Sequence, residues 1–265
     1  MLLKFSKKTN ILLVFLFKTL LMSAQDNYEI QVYAAPTMDK GFTMFELHTN
    51  YTFDAEQNIV NGVRPSYHAF HETIEITHGF TDNFEVGIYL FSHASSDYGL
   101  QYVGSHIRPR ISAPASWKLP IGLSLSMELG YQRRVYSEDT WNLEIRPIID
   151  KDFGKFYVAF NPVLGKSFQG VNQSETFSFE PNFKAAATVS KLVSLGVEYY
   201  GSLGTLAHFD PTAQQIHAIY GVIDLEFSPE WEFNFGIGKG LTVNTEGLVA
   251  KLILGRKIQT VRKKH

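Results

Sequence analysis

The chain has 265 residues, a formal net charge of −2 and no cysteine. That length holds one domain or at most two, the near-neutral charge argues against nucleic acid because phosphate binding needs a basic surface, and the lack of thiols excludes disulfides, thiolate metal sites and cysteine nucleophiles. The mean hydropathy of −0.08 resembles that of a soluble protein, but 21 Phe, 13 Tyr and 3 Trp raise the aromatic share to 14%, which calls for an explanation.

The chain opens MLLKFSKKTNILLVFLFKTLLMSAQDN, with Lys4, Lys7 and Lys8 ahead of the apolar ILLVFLF and small residues before Gln25. This is the layout of a secretory signal peptide over 1–24, cut after Ala24. Lys18 interrupts the run short of the roughly twenty apolar residues that a spanning helix needs. A retained interfacial anchor is the alternative. No later stretch is apolar enough to span, so the mature chain is read as exported, with residues 25–40 as a periplasmic segment before the first strand. An exported protein without disulfides must be held by a large core or by a closed sheet.

From residue 42 onward the pattern is period two. In IGLSLSMELGY, Ile121, Leu123, Leu125, Met127, Leu129 and Tyr131 share one parity, and Gly122, Ser124, Ser126, Glu128 and Gly130 share the other. Such alternation is a strand with one apolar and one polar face. About twelve strands are predicted, near 42–53, 67–79, 84–93, 100–113, 121–134, 140–150, 155–167, 175–188, 192–203, 214–227, 231–241 and 246–257. Many reach the nine to eleven residues that a tilted strand needs to cross a bilayer. Connections after even-numbered strands are tight, as at 80–83 and 190–191, apart from a somewhat longer one after the fourth. Those after odd-numbered strands tend to be longer and polar, as at 54–66 and 204–213. The expectation is an all-β fold: one antiparallel transmembrane β-barrel over 41–258, with short periplasmic turns and longer extracellular loops. Tyr51, Phe53, Phe80, Phe84, Trp117, Tyr131, Trp141, Phe153, Phe156, Trp231 and Phe233 sit near strand ends, as interfacial girdles require. In a soluble β-sandwich, the competing fold, they would be core.

The second strand carries HETIEITHGFTDN (71–83), where His71, Glu72, Glu75 and His78 have helical spacing for metal ligands. The β-branched Thr73, Ile74, Ile76 and Thr77 favour a strand, which sends His71 and Glu75 to one face and Glu72 and His78 to the other. A helical metal site therefore fails, and Glu72 is awkward on a lipid face. No metal and no cofactor are predicted. Gly236, Gly238 and Gly240 precede no helix and so form no phosphate cradle.

The polar parity supplies candidate lumen-lining residues: Glu46, His48, His71, Glu75, His106, Arg108, Arg110, Glu128, Glu144, Arg146, Glu180, Lys184 and Glu198. Acids and bases interleave on neighbouring strands, so cross-strand pairing is expected. Two readings stay open: an ionic network that fills and stiffens the barrel, or a water-filled passage that selects solutes by charge. At about twelve strands, width does not choose between them. The expected partners are membrane lipid and a small solute. A docking barrel that uses its long loops is a third reading. Lipid hydrolysis is weaker; Ser92, His93, Ser95, Ser96 and His106 lie near one rim without catalytic spacing, and no enzyme is predicted.

HGFTDNFEVGIYL, with GYQRR, TWNLEIRPIIDKDFGKFYVAFNP, VEYYGSLG and WEFNFGIGKGLT, resembles the MetA-pathway phenol-degradation family of bacterial outer-membrane barrels over roughly residues 41–257. The resemblance implies a barrel fold, an outer-membrane location and a transport role, and carries over no catalytic residue. The chain departs from the common pattern of a final aromatic residue: RKIQTVRKKH ends it, with 259–265 read as a solvated basic periplasmic tail, or one that touches acidic lipid or cell-wall polymer.

Overall fold

A computed structural model describes residues 27–260; the predicted leader and residues 261–265 of the basic tail lie outside the described residues. The alternating segments are strands: β1 Phe42–Asp54, β2 Ala69–Thr81, β3 Phe84–Ser95, β4 Gly99–Ser112, β5 Gly122–Gln132, β6 Asp139–Asp152, β7 Phe156–Gly170, β8 Ser178–Ser190, β9 Val193–Ser202, β10 Ile216–Leu225, β11 Trp231–Gly240 and β12 Leu248–Gln259. Each is antiparallel to the next, and β12 returns to β1 with Phe42 opposite Gln259, so the sheet closes. Closure leaves no unpaired edge. A short hairpin, Gly204–Thr205 with His208–Phe209, rises from the β9–β10 connection and adds to the end of β8.

One end of the barrel carries short turns at 82–83, 153–155, 191–192 and 226–230, and a longer one at 113–121 with a single 3-10 turn over Ala115–Trp117. The other end carries the longer connections 55–68, 133–138, 171–177, 203–215 and 241–247, with 96–98 the short member.

Side chains are sorted inside out relative to a soluble protein. Along β5, Leu123, Leu125 and Met127 are 38, 40 and 42% exposed, while Ser124, Ser126 and Glu128 between them are buried. The same outward row includes Phe45, Leu47, Ile74, Ile76, Ile88, Leu90 and Ile107. An oily exterior around a polar interior is the arrangement that hydrocarbon selects. The sandwich alternative, which needs those leucines in a core, is excluded by this placement. Replacing Leu125 with Arg should therefore destabilise the lipid-embedded barrel by about 2–4 kcal/mol, read by urea unfolding in vesicles. An unchanged midpoint would mean that this face does not meet hydrocarbon. Glu72, the awkward outward acid, accepts a bond from Thr49 Oγ1 on the adjoining strand at 2.8 Å, and outward His78 pairs with Thr43.

The main departure from expectation concerns residues 27–38. Instead of lying outside the barrel, they run through it. Asn27 Nδ2 donates to Glu246 in the 241–247 connection at the long-loop end. Thr37 Oγ1 reaches Asp82 O and Met38 N reaches Glu85 at the short-turn end. Tyr28, Glu29, Ile30, Val32, Tyr33 and Ala35 are all buried. The physical reason is volume: the wall's own side chains do not fill a lumen of this strand number. Where the segment leaves, it passes Gly79 so closely that a β-carbon there would sit 2.3 Å from the Met38 and Asp39 carbonyl oxygens. That contact explains the glycine in the GFTDNFEVG hairpin.

Candidate functional site in the lumen

Inward-facing side chains hold the threaded segment by its backbone. Asn161 on β7 clamps Tyr33, accepting from its N–H at 2.8 Å and donating to its carbonyl at 3.1 Å. Asp150 on β6 accepts from Ala35 N at 2.8 Å. Lys251 on β12 donates to Ile30 O at 3.0 Å, and Arg110 on β4 donates to Ala34 O and Pro36 O at 3.0 and 2.9 Å. Thr73 on β2 donates to Tyr28 O. Since buried backbone groups without partners are costly, these anchors let an extended strand without sheet neighbours sit in the lumen. Apolar contacts add to them: Ile30 and Val32 pack with Tyr200, Tyr220, Ala218 and Val249, and Tyr28 with Tyr89, Phe91 and Val103.

Around the segment lie three ionic groups. In the first, Arg108 bridges Glu75 Oε1 at 2.6 Å and Glu85 Oε1 at 3.2 Å and also donates to the Tyr89 hydroxyl; Arg110 holds the same Glu85 oxygen at 2.8 Å. In the second, Arg146 donates to Glu144 and faces Glu29 of the segment at 3.9 Å, with His106 bonded to Glu128 nearby. The guanidiniums of Arg108, Arg110 and Arg146 surround the Tyr33 ring at 4.8, 5.7 and 4.7 Å from its centre, a cation–π arrangement. In the third, Lys184 pairs with Glu198 at 3.2 Å and Asp224 at 2.9 Å, while Lys251 joins Glu198, which also accepts from Tyr200 OH at 2.7 Å.

The candidate lumen residues fall into these groups with three additions. Glu46, His48 and Glu75 adjoin one another. His71 stacks edge-on against Tyr28 and His93. Glu180 accepts from Ser178 Oγ at 2.7 Å. At the long-loop mouth, Glu246 accepts from Asn27, Thr52 and Ser66, and burial pushes its carboxyl above the usual range.

Sequence reasoning missed the segment that organises the site. Its signal was present in YEIQVY, a short alternating run of the same kind as the strands. It also gave no role to Tyr89, Tyr200 and Tyr220, which are buried in the interior. Among the rim serines, Ser95 Oγ lies 3.2 Å from His93 Nε2, and among the described residues His93 Nδ1 has no hydrogen-bond partner.

Solved structures with similar backbones include an outer-membrane channel and two porins. The chain is similar to the COG4313 outer membrane channel from Pseudomonas putida F1, with a TM-score of 0.58 and 14% identity over 87% of this chain and 100% of that one. A KdgM porin gives a TM-score of 0.54 at 9% identity over 80% and 98%. The NanC porin gives 0.51 at 6% over 82% and 100%. The fold is that of a porin-like barrel. No family model and no curated protein matches the chain. The likeness to the MetA-pathway family therefore stays a resemblance, while the barrel architecture it implied is the observed one.

Proposed function

We propose that the protein is a bacterial outer-membrane channel for small solutes whose lumen is narrowed by its own residues 27–38. The observation that carries this reading is how those residues are held. Their anchors are hydrogen bonds from polar wall side chains, which water can replace when the segment leaves, and are not strand pairing within the sheet. Polar lumen surface beneath a removable occupant is the construction of a gated path.

The wall still open to water sets the preferred charge. Glu144, Glu180 and Asp224 are only partly buried, along the β6–β8–β10 side, and Lys184 is the adjoining base. An acid-rich lining raises the local concentration of cations and repels anions. A KdgM porin has been captured with disordered oligogalacturonate; it supports small-solute binding in barrels of this shape, but the acidic wall here suits neutral or cationic solutes better. In planar bilayers the purified protein is expected to pass K⁺ in preference to Cl⁻, with a reversal potential of the cation-selective sign in a KCl gradient. Glu144→Gln should move that potential toward zero. Anion selectivity would refute the charge assignment. Silence from both the intact chain and a form lacking residues 27–38 would refute the channel itself. The second reading would then hold: a barrel stiffened by its buried ion pairs, with its loops as the working surface.

A further inference from the structure

Glu46 on β1 lies directly opposite Glu75 on β2, and one step the other way round the barrel Glu46 faces Gly255, which faces Glu232 on β11. Gly255 has no side chain to separate the flanking acids. A β-carbon there would come within 2.9 Å of Glu46 Cγ and 3.2 Å of Glu232 Cβ, so the two side chains flank the same glycine. Three acids thus converge on one patch of inner wall. Like charges placed directly opposite on adjoining strands repel, and Arg108 answers only part of this, because it takes Glu75 Oε1 alone.

His48 stands two residues along β1 on the same inward face and is fully buried. Among the described residues neither of its ring nitrogens has a hydrogen-bond partner, and Glu75 Oε2 has none either. These two atoms, His48 Nε2 and Glu75 Oε2, face each other at 3.4 Å, the separation of an ion pair when the imidazole is protonated. One donor atom from each of Glu46, His48 and Glu75 fits within 4.8 Å of the others. With metal–ligand bonds of about 2.0–2.2 Å, the edge of a tetrahedral site is about 3.3–3.6 Å. The His48–Glu75 separation is therefore already that of two ligands sharing an ion.

We propose that Glu46, His48 and Glu75 form a binding site for a first-row divalent transition-metal ion in the lumen wall, with Glu232 beside Glu46 as the fourth donor. An imidazole with carboxylates suits zinc and its neighbours better than calcium or magnesium, which favour oxygen alone. Arg108 and Thr77, both on Glu75 Oε1, orient the carboxylate so that Oε2 points at the ion. The ion cross-links β1 to β2 and, through Glu232, to β11. This site is independent of the transport reading and would exist equally in a sealed barrel.

The test is to fold the full mature chain with Zn²⁺, desalt it in detergent and count metal by mass spectrometry. The intact chain should retain about one zinc per chain, and His48→Gln and Glu46→Gln should each retain less than about a tenth of that. Zinc-free intact chain, or variants that hold as much as the parent, overturns the site. Heat-dependent gel mobility establishes that each variant is a folded barrel. Should a variant not fold, Co²⁺ loaded into the intact chain decides alone: strong visible d–d absorption supports low-coordinate nitrogen and oxygen ligation, and its absence overturns it.

Discussion

Removing residues 27–38 is expected to raise single-channel conductance roughly ten-fold or more, because it empties the cross-section that a barrel of this strand number encloses. The barrel itself should survive. Its hydrogen-bonded ladder runs through all twelve strands and back to β1 without help from the segment. What is lost is the packing of Tyr28, Ile30, Val32 and Tyr33 and the backbone anchors at Asn161, Asp150, Lys251 and Arg110. The freed anchoring groups of Asn161, Asp150, Lys251 and Arg110 are polar and are taken up by water, and the closed ladder holds the wall apart, which is why a hydrated pore and not a collapsed interior should follow. Tyr33→Ala should give an intermediate result, since Tyr33 is the ring on which three guanidiniums converge. Equal currents from the shortened and intact chains, both folded by gel mobility, would show that the segment does not occlude the path.

The second large effect is on stability. Arg108→Ala should cost on the order of 3 kcal/mol, the scale for leaving a buried charge without its partner, measured by urea unfolding in vesicles. Arg108 is almost fully buried and serves two buried acids and a tyrosine at once. Glu85 keeps Arg110 at 2.8 Å and Met38 N after the change, so the loss falls mainly on Glu75. Adding Glu75→Gln should therefore recover a good part of the stability, because the orphaned charge goes with it. Arg108→Lys should not restore the parent value: a single ammonium lacks the fork that reaches Glu75, Glu85 and Tyr89 together. No loss of stability in Arg108→Ala would mean that the ion pairs are hydrated and the lumen around them is open.

Particular residues show what was legible. Leu123, Ser124, Leu125, Ser126, Met127 and Glu128 announce their two faces by parity alone. Period-two patterning is a local property: it needs only the geometry of a pleated chain and one apolar solvent. The short turn at 82–83 and the glycine at 79 could be read as a hairpin, but not as the contact that lets Met38 and Asp39 pass. Convergence was also hidden. Glu46, Glu75 and Glu232 come from three strands, and their approach depends on Gly255 in a fourth, which register alone brings between them.

By itself, then, the amino-acid order determined the strands, their number, their inner and outer faces and the closure that a lipid setting demands. The tertiary structure alone decided what occupies the interior, which acid meets which base, and that residues 27–38 belong inside. The reason is physical: a strand's faces follow from the residues next to it in the chain, but filling a lumen joins groups remote in sequence, chosen by the space and the unpaired polar atoms left after the sheet has closed.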